Sequence, residues 1–138
     1  MTLFAGGSKS ITDITDLPNR RILDEAIYYD EEIIVGDCPG ADLAIQEYLK
    51  RRDYYNVVVY ASGDKVRHNV GDWEVRFVSF DPTLEGYDFF RQKVFQMELD
   101  CDHAVMAWDG KSKGTKQTII DLMALGKHVH NMLWKSEL

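Results

Sequence analysis

Cysteine is scarce. Cys38 and Cys101 are the only two in 138 residues and form no C-x-x-C pair, so neither a disulfide framework nor a zinc site is signalled. Long apolar runs are missing too, and none approaches the ~20 residues of a membrane span. The opening MTLFAGGSKS has too short an apolar stretch, and no basic lead, for a signal peptide, which predicts a cytoplasmic protein without membrane contact. Positive charge is in deficit: 16 Lys and Arg against 23 Asp and Glu leave a net charge of −7. Nucleic acid, whose binding rests on a broad basic footprint, is therefore not an expected partner. Repeats, low-complexity tracts and linkers are absent as well. What is present, 45% hydrophobic and 28% charged residues, is an ordinary globular composition. One domain over 1–138 is expected, large enough to bury a core without staples.

Apolar periodicity alternates between strand and helix along the chain. TLFAGG (Thr2 to Gly7) reads as a buried strand, and Asp16-Leu17-Pro18 as the opening of a helix that turns Ile22, Leu23, Ala26 and Ile27 inward. EEIIVGD (Glu31 to Asp37) is a second strand. Ala41, Ala44, Ile45, Tyr48 and Leu49 then repeat at the spacing of one helical face. NVVVYAS (Asn56 to Ser62) is β-branched at its centre, as a parallel core strand would be. Gly63 to Gly86 is the least legible segment: Trp73, Val75 and Phe77 alternate as a short strand within a long excursion, which reads equally as a ligand-ordered flap or a surface hairpin. A helix from about Tyr87 to Asp100 follows, with Tyr87, Phe90, Val94 and Met97 on one face. HAVMAW is a strand, Thr115 to Leu125 a helix ending at Gly126, and HVHNMLW a final strand. Strands separated by helices require crossovers, so the expected fold is a Rossmann-like three-layer α/β sandwich with a mostly parallel sheet of about five strands.

In open sheets of this kind, ligands bind beyond the carboxyl ends of the strands. Three strand-to-helix turns should open there: Gly6-Gly7-Ser8-Lys9, Gly36-Asp37-Cys38-Pro39-Gly40-Ala41-Asp42, and Asp109-Gly110-Lys111-Ser112-Lys113-Gly114-Thr115. Glycine lets backbone N–H groups approach a ligand, and helix N-termini favour an anion. Lys9, Lys111, Lys113 and Lys116 gather positive charge at these turns in an acidic chain, as a phosphate pocket requires. Familiar motifs fit poorly. Gly110-Lys111-Ser112 ends like a P-loop, but Val105 stands where its first glycine belongs, and GGSKSI does not complete G-x-G-x-x-G.

GGSKSI, VGDCPGADLAIQEYLKRR and AVMAWDGKSKGTKQTIIDLMALGKHVH together resemble the SLOG superfamily, in particular its small single-domain YpsA-related group, over nearly the whole chain. The resemblance implies a Rossmann-like fold that binds a nucleotide or nucleotide-derived phosphorylated ligand, as a sensor or binding module and with no further cofactor. It implies that Gly6, Gly7 and Ser8 contact the ligand from the first turn, Gly36 and Gly40 to Asp42 from the second, and that Ser112, Gly114 and Thr115 grip phosphate. Asp42 either accepts from a ribose hydroxyl or stabilises the helix start. Relatives similar to cytokinin-riboside phosphoribohydrolases cleave an N-glycosidic bond with an arginine and a glutamate. Arg91 resembles that arginine, whereas the glutamate's position is held by Thr118. A hydrolase or transferase acting at the glycosidic bond is thus the alternative function. Homo-oligomerisation through the sheet-covering helices is a further implication.

Most of the remaining candidates read as structural, while Trp108 stays open. Asp109 closes a strand and reads as a turn residue, and Cys38 as a small residue at a strand end. His128 and His130 lie two apart without a third ligand in sequence, so no metal is expected. Trp108 either stacks on a base or caps the core.

Overall fold

The computed structural model describes residues 1–78, 81 and 83–133. Strands β1 (Thr2–Gly7), β2 (Glu32–Gly36), β3 (Val57–Ser62), β4 (Glu74–Val78), β5 (His103–Trp108) and β6 (His128–Leu133) form one sheet in the order β4-β3-β2-β1-β5-β6. Every neighbouring pair is parallel. Helices α1 (Arg21–Tyr28) and α2 (Ala41–Arg51) contribute to the core on one face, α3 (Gly86–Asp100) and α4 (Lys113–Ala124) to the core on the other. The fold is thus a Rossmann-like α/β sandwich, with six strands in place of the expected five.

Period-two alternation builds both cores from the same strands. Leu3, Ala5, Ile33, Val35, Val57, Val59, Val105 and Ala107 face α1 and α2, while Phe4, Ile34, Tyr60, Ala104 and Met106 face α3 and α4. Fully burying each Leu or Ile contributes about 1.5–3 kcal/mol.

Two local departures from the sequence reading have physical causes. The first helix begins at Arg21, not at Asp16, because Asn19 takes a left-handed φ of 63° and residues 14–20 form successive turns. Those turns are not idle, since Ile11, Ile14 and Leu17 drop into the α1–α2 core. The excursion after β3 is no hairpin: β4 runs parallel to β3, reached by a crossover without a helix. That crossover is bonded to the body by buried Gln46, which donates to the His68 carbonyl and accepts from the Val70 N–H, and by Trp73 Nε1, which donates to the Tyr54 carbonyl. The final strand is described to Leu133, so Trp134 lies outside the described residues. Among them, no helix is long and apolar enough to cross a membrane.

The first two turns stack on each other at Gly40, whose φ is 84° and whose absent Cβ would lie 2.3 Å from the Lys9 carbonyl oxygen. Gly40→Ala therefore combines a left-handed backbone with a backbone collision, and should cost about 2–4 kcal/mol in chemical denaturation.

Candidate functional site

β1 pairs with β2 on one side and β5 on the other, so strand order reverses beside it. There, past the carboxyl ends of these strands, lies a cavity of about 650 Å³. Gly6, Gly7, Lys9 and Ser10 enter it from the first turn, Gly36, Cys38 and Asp42 from the second, and Asp109, Ser112, Gly114 and Thr115 from the third. Phe4 and Met106 of the sheet also line it. The opposite wall is α3, whose apolar stripe Tyr87, Phe90, Val94 and Met97 lines the cavity throughout. This explains why Tyr87 and Phe90 are 60% and 38% exposed although their spacing matches a buried face.

The third turn is shaped by its own side chains. Asp109 accepts from the backbone N–H groups of Lys111 and Ser112 at 2.8 and 2.7 Å, and from Ser10 Oγ at 2.6 Å. Partial burial works against its charge, but these hydrogen bonds dominate and hold the carboxyl down at about 2. It is an ionised turn former with no proton to give. Ser112 caps α4 by accepting from the Thr115 N–H, and Trp108 donates its indole N–H to the Ser112 carbonyl at 3.0 Å. No acidic residue occupies the first turn of α4, where Lys113 and Lys116 stand.

Ser8 lies between the turns rather than in the cavity lining. It is 1% exposed; its N–H donates to Ala107, its carbonyl accepts from Ile11 and Ala41, and its hydroxyl donates to Thr115 Oγ1 and accepts from the Asp109 N–H. Gly40 and Ala41 likewise pack the turns together, while Trp108, Gly110, Lys111 and Lys113 stand outside the lining.

Asp37 is also behind the wall. It is 1% exposed and pairs with Lys93 Nζ at 3.0 Å and Arg67 Nη2 at 3.0 Å, besides accepting from the Arg67 N–H. Burial pushes its carboxyl up, but Arg67 and Lys93 outweigh that and leave it below the ordinary value. Lys93 Nζ and Arg67 Nη2 reach Cys38 Sγ at 3.4 and 3.0 Å, and the Arg67 guanidinium lies 4.6 Å over the Phe90 ring. Asp42 fits above two glycines: a Cβ at Gly36 would lie 2.3 Å from its Oδ2, and one at Gly6 would lie 3.6 Å from its Oδ1. Burial pushes the Asp42 carboxyl up, opposed by Lys93 and the Cys38 N–H.

Arg91 lines the cavity and donates from Nη1 to Thr118 Oγ1 at 3.1 Å, which brings together the two positions compared above. Its Nη2 serves Glu98 at 2.8 Å and also pairs with Asp121, so the guanidinium is clamped between α3 and α4. Glu98 is wholly buried and its Oε1 has no partner among the described residues. Burial raises its carboxyl to about 7, with Arg91 pulling down and Asp121 pushing up.

Sequence reasoning missed Arg67, Lys93, Thr118 and the apolar α3 wall as cavity residues. Lys93 meets Asp37 across 56 positions, a separation that carries no local signal. The α3 stripe was visible, but periodicity does not say whether a face meets core or cavity. The His128 and His130 rings meet edge to face at 4.3 Å with His103 beside them, on strands β5 and β6; among the described residues no three His, Cys, Asp or Glu side chains form a metal-holding group. Neither a scan of protein-family models nor a search of curated proteins gives a match.

The raised Glu98 carboxyl fixes a pH dependence. The folded state keeps a proton up to about pH 7 that the unfolded chain releases near 4.5, so this group's contribution is full below about 4.5, declines as pH rises to about 7, and is flat above. Glu98→Gln should remove that decline from denaturation midpoints measured between pH 4.5 and 8. Asp37 acts with the opposite sign, and its contribution is lost as acid protonates it.

Proposed function

We propose that this chain is a SLOG-type cytoplasmic protein whose cavity binds a nucleotide or nucleotide-derived phosphorylated ligand, acting as a sensor or binding module. The observation that carries this reading is the polarity of the cavity. At one end stands the N-terminal turn of α4, with Gly114 and Thr115 in the lining and basic residues where a helix N-terminus ordinarily takes acidic ones. Lys113 and Lys116 of that turn are exposed and outside the lining, so an anion in the cavity would meet the positive end of the α4 dipole and Lys9. Along the side runs the apolar wall of α3, suited to a flat, weakly polar group such as a nucleobase. Gly6, Gly7 and Gly36 allow backbone approach beneath it, and Asp42 offers a carboxyl to a hydroxyl donor. Ser8, Asp37, Ala41 and Trp108 take supporting roles, holding the turns that make contact.

One observation favours a second reading. Arg91 touches Thr118, the position at which a glutamate would complete a glycosidic-bond cleaving pair. With threonine there and Asp109 saturated by turn hydrogen bonds, these two positions supply no acid, which favours binding over turnover.

Thermal shift and mass spectrometry on a panel of nucleoside monophosphates, ADP-ribose and dinucleotides test both readings together. The expected result is stabilisation without product, weakened roughly fivefold by Lys9→Ala. Released free base would promote the second reading, in which Arg91→Ala abolishes turnover and Thr118→Glu raises it. No shift with any compound would reject the phosphate site.

A further inference from the structure

Among the described residues β4 closes one edge of the sheet, paired with β3 alone. Its sequence has an unusual symmetry. Trp73, Glu74, Val75, Arg76 and Phe77 run aromatic, acid, valine, base, aromatic, so the segment read backward is the complement of itself. The two sheet faces divide it cleanly. Val78 belongs to the α3–α4 core and Arg76 pairs with Asp100 of α3, which places Glu74, Arg76 and Val78 on that face. Trp73 packs against the opposite core, which places Val75 and Phe77 beside it. Phe77 is 48% exposed, an aromatic side chain left at the rim of the sheet.

A two-fold interface must be self-complementary, each residue meeting a partner that it also serves in the other copy. If two β4 strands pair antiparallel with their α3 faces on the same side, the axis must pass through a residue, because directly opposed side chains share a face. With the axis at Val75, Glu74 opposes the second copy's Arg76 and Trp73 opposes its Phe77, each pair occurring twice. Opposite charges and aromatic rings are the favourable cross-strand pairs. Moving the axis one residue either way sets Arg76 against Arg76 or Glu74 against Glu74, so the charges fix the register. Edge strands commonly carry charge to prevent pairing, but that protection fails when acid and base stand two positions apart and the partner is identical. The side chain of Asn69 takes the Trp73 N–H and carbonyl, so the ladder runs on Glu74–Val78 while Trp73 supplies only its ring.

We infer that β4 is a self-association edge, pairing antiparallel with β4 of a second copy about an axis at Val75 and joining two six-stranded sheets into one. The cavity lies beside β1 and β5, so this pairing is independent of what the cavity holds and leaves it open.

Sedimentation equilibrium over a wide concentration range tests it. The wild-type mass should rise from 15.9 kDa toward twice that value. Glu74→Arg and Arg76→Glu each set like charges opposite one another and should weaken the dimer at least roughly tenfold. The double variant carrying both exchanges restores the pairs with reversed sign and should recover most of the association. Circular dichroism checks that each variant folds. If Arg76→Glu unfolds the chain by losing its pair with Asp100, Glu74→Arg and Phe77→Lys carry the decision, because both leave that pair intact and both must give monomer. A wild-type protein that stays at 15.9 kDa throughout overturns the inference. So does a dimer equally strong in the single variants, which would point to another surface such as Phe95 and Leu99 of α3. A folded but monomeric double variant overturns the register.

Discussion

The buried ion pair between Asp37 and Lys93 sets the shape of the cavity. Both side chains are almost fully buried, and Asp37 also holds Arg67 through two kinds of contact, to its backbone N–H and its guanidinium. Three separate pieces of chain, the end of β2, helix α3 and the β3–β4 crossover, thereby meet at one carboxylate. Taking these charges out of water is costly, and removing one partner of such a pair typically costs about 3–5 kcal/mol because the other is left uncompensated. An apolar replacement of the whole cluster would avoid the desolvation cost but would give no reason for α3 to stand off from the sheet at this point. The ion pair ties α3 to the end of β2 beside the cavity, whose walls include the apolar stripe of that helix and the glycines of β1 and β2.

Ser8 does for the three turns what Asp37 does for the walls. A buried backbone must satisfy its N–H and C=O groups, and at Ser8 the N–H bonds the end of β5 and the carbonyl the second turn, with the hydroxyl bonded to the third turn that follows β5. The close approach of Gly40 to Lys9 is possible only with that seam in place. A serine whose sequence context suggests ligand contact instead lies behind the lining and fixes where the cavity-lining residues Gly7 and Lys9 sit.

Most of the architecture was legible in the chain because burial on both faces of a parallel sheet writes itself as short β-branched runs, and amphipathic helices write themselves at their own period. β1, β2, β3, β5 and α2 fall within a few residues of their expected bounds. The start of α1 did not, since Asp16 and Pro18 give the usual helix-opening signals and the left-handed turn at Asn19 overrides them. Direction was also illegible at β4: alternation at Trp73, Val75 and Phe77 announces a strand but is silent on whether it returns as a hairpin or crosses over. At the site, the turns themselves were legible because glycine marks them, while the wall opposite was not. Arg67, Lys93 and Arg91 acquire their places through contacts 27 to 56 positions away, which no local pattern encodes.

Those distant contacts bear on how the cavity would distribute charge toward a ligand. Four basic side chains line it, yet three are already engaged with protein carboxylates: Lys93 and Arg67 with Asp37, and Arg91 with Glu98 and Asp121. An incoming phosphate competes poorly for Lys93 and Arg67, because winning either strands the buried Asp37 charge, while the Arg91 guanidinium is already occupied by Glu98, Asp121 and Thr118. Lys9 has no such bond among the described residues, and its backbone packs against Gly40 at the start of α2. The cavity's uncommitted positive charge thus falls on Lys9, while its α3 wall is apolar. Arg91 is then better placed to hold Thr118 and the helix pair together than to serve as a free anion receptor.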